Sequence, residues 1–301
     1  METTARLQTL TTFRIGGTPM RYFEPAGVGE LREALAACAD TATPWQVMGG
    51  GSNLLVEDGP LPFAVVRIHA PGFAALDRTG PATVGAGAGV PIARLLSFCR
   101  REELGGLEYL AGLPGTVGGA VAGNAGAWNR CVTDRVRDVT IMDPDGSLRK
   151  ATAGDLGAGY RRTELDGGVV VAVEFGLEPR NGDLIRLRMQ RHMDRRLGRH
   201  PLKEFSAGCI FRNPPGRSAG ELIDRCGLKG YRIGGAQISE RHANFILNCG
   251  GAAAADVLAL IRLVREAVRR EHGVVLELEV RHWTARDGVG PVHPRNQTEA
   301  A

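Results

Sequence analysis

Apolar residues recur at steps of three and four in several stretches of this chain, and each such stretch predicts a helix packed by one face. Over residues 28–39 the stripe is Leu31, Ala34, Leu35 and Cys38. Over residues 91–101 it is Ile92, Leu95, Leu96 and Cys99, with Pro91 suited to a helix start. The longest spans residues 253–272, where Val257, Leu260, Ile261, Val264 and Val268 oppose Arg262, Arg265, Glu266 and Arg269, and Gly273 supplies the stop. Residues 183–197 predict a surface helix with Leu184, Leu187 and Met193 turned inward. Short apolar runs predict strands at 45–48, 64–68, 82–86, 169–177 and 274–280. Residues 136–142 and 148–152 flank Asp143-Pro144-Asp145-Gly146, the composition of a tight reversal, and predict a hairpin.

Between these elements glycine interrupts the pattern. Gly49-Gly50-Gly51-Ser52-Asn53-Leu54 follows a strand and offers successive amides without an obstructing Cβ, which suits either a pyrophosphate or a bare turn. Residues 105–126 are so rich in glycine, with Pro114 among them, that a ligand-facing loop system with at most a short helix is expected. Gly85-Ala86-Gly87-Ala88-Gly89 lacks the spacing of a dinucleotide fingerprint. The order of elements predicts a first unit at 1–182, divided near 80, a second at 183–285, and a polar, flexible tail at 286–301.

Composition changes this picture little. The 301 residues suffice for two or three packed units, and 42 glycines, about twice the usual share, fit many turns or close backbone approaches. A net charge of +4, dispersed along the chain, gives no nucleic-acid footprint and is compatible with small anionic ligands. The cysteines at 38, 99, 131, 209, 226 and 249 form no C-x-x-C pair or zinc-type spacing, so no metal and no disulfide framework is expected. Without a signal-like start or a run of about 18 apolar residues, a cytoplasmic protein with no membrane contact and no obligate protein partner is expected.

The chemistry concentrates in Phe205-Ser206-Ala207-Gly208-Cys209-Ile210-Phe211-Arg212-Asn213-Pro214, in Tyr160-Arg161-Arg162-Thr163, and in Leu276-Glu277-Leu278-Glu279-Val280-Arg281. Strand alternation would put Glu277, Glu279 and Arg281 on one face. With Thr11-Thr12-Phe13-Arg14-Ile15-Gly16-Gly17, the two glycine loops, and residues 219–245, these segments resemble the UDP-N-acetylenolpyruvoylglucosamine reductase family over roughly residues 11 to 282. The absence of a long insertion between Arg161 and Cys209 suits its shorter branch, with cysteine in the place of a serine.

The resemblance implies an α+β architecture: an FAD-binding fold of the vanillyl-alcohol-oxidase type in two subdomains, followed by a C-terminal α/β substrate-binding domain. It implies noncovalent FAD, since no histidine or cysteine lies in 49–53, with NADPH as co-substrate. The cofactor contacts it implies are Gly49, Gly50, Gly51, Ser52, Asn53, Leu54, Gly115, Thr116, Gly118, Gly119 and Asn124. Arg161 would stabilise negative charge, Cys209 would donate a proton, and Glu279 would assist. Substrate contacts would be Arg212, Asn213, Lys229, Gln237 and Arg281. Thr163 stands where the family has serine, and Leu10, Gly123 and Asn129 also depart from its pattern. A flavoprotein oxidase of the same fold and a flavin- or nucleotide-binding protein without turnover are the alternatives. A thiol is mostly protonated at neutral pH, and nearby cations would be expected to make Cys209 partly thiolate.

Overall fold

The computed structural model describes residues 2–69 and 71–288. The first lobe holds β1 (Thr18–Phe23), α1 (Val28–Asp40), β2 (Trp45–Met48), β3 (Leu54–Val56) and β4 (Pro60–Arg67). Strand β4 lies between β1 and β2, parallel to both, and Glu2–Thr3 extends the sheet beyond β1. Period-two alternation sends β4 side chains to two different cores. Phe63 and Val65 join Leu7, Tyr22, Met48 and Trp283, whereas Ala64 and Val66 join the α1 stripe of Leu31, Leu35 and Cys38.

The second lobe contains β5 (Leu76–Gly80), β6 (Thr83–Gly87), α2 (Ile92–Arg101), α3 (Val117–Ala122), β7 (Val136–Met142), β8 (Leu148–Thr152) and β9 (Val169–Gly176). Its antiparallel sheet has the order β8-β7-β9-β6-β5. The predicted hairpin is β7 and β8. A continuous core runs from the α1 side of the first lobe through α2 to this sheet, so the two lobes share one interior.

After β9 come α4 (Gly182–Leu197), α5 (Ala219–Arg225), β10 (Ala236–Ile238), β11 (Ile246–Asn248), α6 (Ala254–His272) and β12 (Arg281–Trp283). Helix α6 buries the expected stripe and stops at Gly273 with φ +67°, the left-handed conformation that suits glycine. Strands β10 and β11, joined by Arg232–Ile233, form a small antiparallel sheet against α6. Phe13, Ile15 and Leu55 from the first lobe complete this core. Strand β12 returns to pair in parallel with β3, Arg281 opposite Leu54.

Three expectations are corrected. Helix α4 rests on the second lobe, against α2 and the turn Glu108–Leu110, and turns Ile185 and Arg196 inward, leaving Leu184 and Leu187 exposed. Residues 274–280 form no ladder beyond one bridge, Phe211 to Leu278, and pairing begins only at Arg281. Ala285–Gly288 forms a short 3-10 turn beside β4, and the rest of the expected tail lies outside the described residues. Among the described residues no helix is long and apolar enough to cross a membrane.

Candidate active site

The two glycine loops meet backbone to backbone. A Cβ on Gly50 would stand 2.7 Å from the Gly115 Cα, and one on Gly49 would stand 2.6 Å from Thr116 Oγ1. Gly115, with φ +109°, faces Ser52, whose hydroxyl donates to the Pro114 carbonyl at 3.4 Å. Among the described residues the amides of Gly49 to Asn53 donate to no protein acceptor, which leaves a row of donors suited to a pyrophosphate. Thr116 caps α3 by accepting from the Gly119 amide, while the Gly118 amide is spent on the Ala88 carbonyl, so Gly118 is explained by close packing. Replacing Gly50 by alanine must part the loops; we expect at least about tenfold weaker flavin retention, measured by flavin fluorescence on dilution.

Asn53 ties this cradle to the C-terminal segment. Its carbonyl accepts from the Arg281 amide at 3.0 Å and its side-chain amide donates to the Glu279 carbonyl at 3.2 Å. Leu54 is buried in β3 and anchors the same junction.

Arg161 sits at the tip of a turn closed by paired hydrogen bonds between Gly159 and Arg162, and takes φ +58°. That conformation is uncommon for a residue that carries a Cβ and persists because the turn is held from outside. Asn124, itself at φ +39°, donates from its side chain to the Gly159 carbonyl at 2.9 Å, and its Oδ1 accepts from Thr133 Oγ1 at 2.9 Å. Thr163 Oγ1 reaches the Val121 and Ala122 carbonyls at 3.1 and 3.2 Å, supplying the hydroxyl expected of a serine there. Thus fixed, Arg161 Nε donates to Glu279 Oε1 at 2.7 Å.

Glu279 reaches that position through a bulge. Its amide and that of Val280 both point to the Ile210 carbonyl, at 2.8 and 3.3 Å, while the Arg212 amide donates to the Glu277 carbonyl at 2.9 Å. Two residues opposite one break the alternation and re-aim the strand. Glu279 therefore turns inward, with 14% of its side chain exposed, whereas Glu277 keeps 57% and pairs with Arg212 at 3.8 Å. The shared face expected for 277, 279 and 281 is not formed.

The same contacts carry Cys209 alongside. Gly208 takes φ +79°, Cys209 bridges to Phe245, and buried Asn244 clamps the next turn by accepting from the Phe211 amide and donating to its carbonyl, at 2.9 and 2.8 Å. Burial, with Glu279 second, pushes the half-buried Cys209 thiol up to about 12, against the opposing pull of Arg161 and Arg196. The expectation of a partial thiolate is thereby reversed, because desolvation outweighs the cations. At pH 8 a thiol held up in this way is overwhelmingly protonated. Iodoacetamide is accordingly expected to modify exposed Cys249 well before Cys209, as read by peptide mass spectrometry.

Of the remaining sequence candidates, Arg281 reaches the Ala122 carbonyl at the end of α3 with Nη2 at 3.1 Å and has no carboxylate partner among the described residues. Asn213 accepts from the Ala219 amide at the start of α5, and its backbone lies by the Tyr160 hydroxyl. Lys229 pairs with Asp224 at 2.6 Å, and Gln237 bonds the Gly230 carbonyl and Cys249, so their contacts lie away from the Arg161 and Glu279 pair. Sequence reasoning missed Arg196, which lies within electrostatic reach of Cys209 and Arg161. Reading the α4 stripe from Ile185 through Met189 and Met193 would have found an arginine on the buried face.

A glycine cradle for a dinucleotide, facing a thiol, a guanidinium and a carboxylate, defines a flavin-dependent oxidoreductase; residues 19–152 match the FAD binding domain profile, which establishes the vanillyl-alcohol-oxidase-type fold. Residues 200–283 match the C-terminal domain of UDP-N-acetylenolpyruvoylglucosamine reductase. The reductases of Syntrophobacter fumaroxidans and Alkalilimnicola ehrlichii are 43% and 44% identical over 90% of this chain, covering 80% and 90% of their own lengths. The crystal structure of the Thermus caldophilus reductase superposes with a TM-score of 0.83 at 39% identity, over 94% of this chain and 99% of that one. The chain belongs to the UDP-N-acetylenolpyruvoylglucosamine reductase family.

Proposed function

We propose that this chain reduces the enolpyruvyl group of UDP-N-acetylglucosamine enolpyruvate to give UDP-N-acetylmuramate, a peptidoglycan precursor, with Arg161, Cys209 and Glu279 as its working groups. The observation that carries the assignment of roles is the Arg161 to Glu279 contact of 2.7 Å, formed beside Cys209 and tied by Asn53 to the glycine cradle. When bound, FAD supplies a hydride carrier between NADPH and the enolpyruvyl carbon. The amides of Gly49 to Asn53, which donate to no protein acceptor among the described residues, would hold its pyrophosphate, and Gly115, Thr116 and Gly119 would lie against its ring system.

The chain's own residues do the rest. Arg161 offers a planar fork to the substrate carboxylate and stabilises the negative charge that develops on it. A permanently charged guanidinium suits this task because burial cannot neutralise it. Cys209, kept protonated by burial, delivers its proton to the adjacent carbon. Glu279 orients Arg161 and, by disfavouring a second anion nearby, holds the thiol in its proton-bearing form until substrate arrives. Arg281, which reaches the Ala122 carbonyl, and Asn213, whose backbone lies by Tyr160, are assigned to the diphosphate and sugar. Lys229 and Gln237 are assigned to the outer part of the substrate.

Anaerobic stopped-flow spectroscopy tests this reading. The flavin of the purified protein is reduced with NADPH and then mixed with UDP-N-acetylglucosamine enolpyruvate. Rapid reoxidation is expected; a reduced flavin indifferent to this substrate yet quickly oxidised by dioxygen would place the chain among oxidases instead.

A further inference from the structure

Arg196 is a charged side chain buried without an opposing charge. It projects from α4, is 5% exposed, and has no carboxylate partner among the described residues. Its Nε donates to the Ala111 carbonyl at 2.9 Å and its Nη2 reaches that of Tyr109 at 3.4 Å. The carboxylate on the same loop, Glu108, is committed elsewhere, to Arg180 at 2.6 Å and to the Gly106 amide at 2.8 Å. Gly112, at φ +80°, makes room for the arginine, since a Cβ there would stand 2.9 Å from Arg196 Cδ. A neutral donor would tie these carbonyls without the cost of burying a cation, so the charge itself calls for a purpose.

The surroundings supply one. The end of α4 lies against the Cys209 loop: the His200 amide donates to the Arg196 carbonyl at 2.7 Å, the His200 ring sits 5.1 Å from that of Phe245, and Phe245 bridges to Cys209, so the Arg196 charge repels that of Arg161 and attracts the ionised form of Cys209. We propose that Arg196 is a positioning residue for Cys209: held on the carbonyls of Tyr109 and Ala111, it fixes a second positive charge near the sulfur and stabilises the thiolate left when Cys209 gives up its proton. In that step the S–H bond breaks, its electron pair stays on sulfur, the proton goes to the substrate carbon, and water later returns a proton to the thiolate. The groups that act on the sulfur come from three segments. They are Glu279 from the C-terminal strand, which opposes ionisation, Arg161 and its neighbour Tyr160 from the turn before β9, and Arg196 from α4. With Arg161 paired to Glu279, Arg196 is the cation of this group that no carboxylate offsets.

The proposal rests on Cys209 being the proton donor, and its test does not require turnover. In a Cys249→Ala background, the rate at which iodoacetamide alkylates Cys209 is followed between pH 8 and pH 10. Arg196→Gln is expected to slow the reaction about tenfold at each pH, one unit of thiol pKa, while Arg196→Lys, which keeps the charge and loses the fork, regains most of the rate. In the same variants, flavin reoxidation by substrate slows in that order and reduction by NADPH is unchanged. Gly112→Ala, which displaces the guanidinium without removing it, moves the alkylation rate in the direction of Arg196→Gln and serves where that variant does not fold. An unchanged alkylation rate in either folded variant, or equal slowing in the Gln and Lys variants, overturns the proposal. If instead Cys209→Ala turns over normally, the reading of Cys209 as donor is what fails.

Discussion

Cys209→Ala is expected to keep its flavin and its reduction by NADPH while losing more than about 10²-fold in the rate at which substrate reoxidises the flavin, the usual scale for removal of a positioned acid. The substitution takes away the proton and little else: Cys209 bridges to Phe245 through its backbone, and the next turn is held by Asn244. Single-turnover stopped-flow separates the two half-reactions. Cys209→Ser is expected to retain appreciable activity, because a hydroxyl in the same place still offers a proton. A near-normal reoxidation rate in the alanine variant would remove Cys209 from the mechanism.

Glu279→Gln is expected to lower substrate turnover by about 10²-fold or more, because Arg161 loses the charged partner at 2.7 Å that fixes its orientation. A second consequence follows with a definite sign. Glu279 is one of the groups that hold the Cys209 thiol in its neutral form, so removing its charge lets the thiol ionise more easily. Alkylation of Cys209 at pH 9 should therefore become faster in Glu279→Gln, the opposite of the change expected for Arg196→Gln. Slower turnover accompanied by faster thiol modification distinguishes an electrostatic role for Glu279 from simple unfolding, which would also expose the buried thiols of Cys38 and Cys99.

How much of this was legible in the sequence depends on whether local pattern or tertiary pairing decides each element. The stripes of α1, α2 and α6 are carried by residues whose spacing alone selects the buried face, and all three helices form with the expected residues inside. Helix α4 is a different case. Leu184 and Leu187 look like an inward face only if the largest apolar residues are assumed to be buried, yet the helix packs through Ile185 and ends that stripe on Arg196. Residues 274–280 alternate as a strand would, but no neighbour offers a full ladder, and the doubled approach of Glu279 and Val280 to Ile210 cannot be read from composition. The glycine loops were recognisable as loops. What they touch was not, since the contact of Gly50 with Gly115 joins segments 65 positions apart in the sequence. Positive φ at Arg161 and Asn124 was equally invisible, because neither residue type announces it as glycine does.

The pairing of β12 with β3 gives the chain an order of assembly. Leu54 to Val56 are made well before the strand that completes them, Arg281 to Trp283. Trp283 is also a wall of the first lobe's interior, set edge-on to Phe63 with ring centres 6.0 Å apart. Until it arrives, the nascent first lobe has an open seam and Asn53 has no C-terminal segment to hold. The residues that close the first lobe therefore arrive with the segment that carries Glu279, and a chain cut short before them lacks the carboxylate and the seam together.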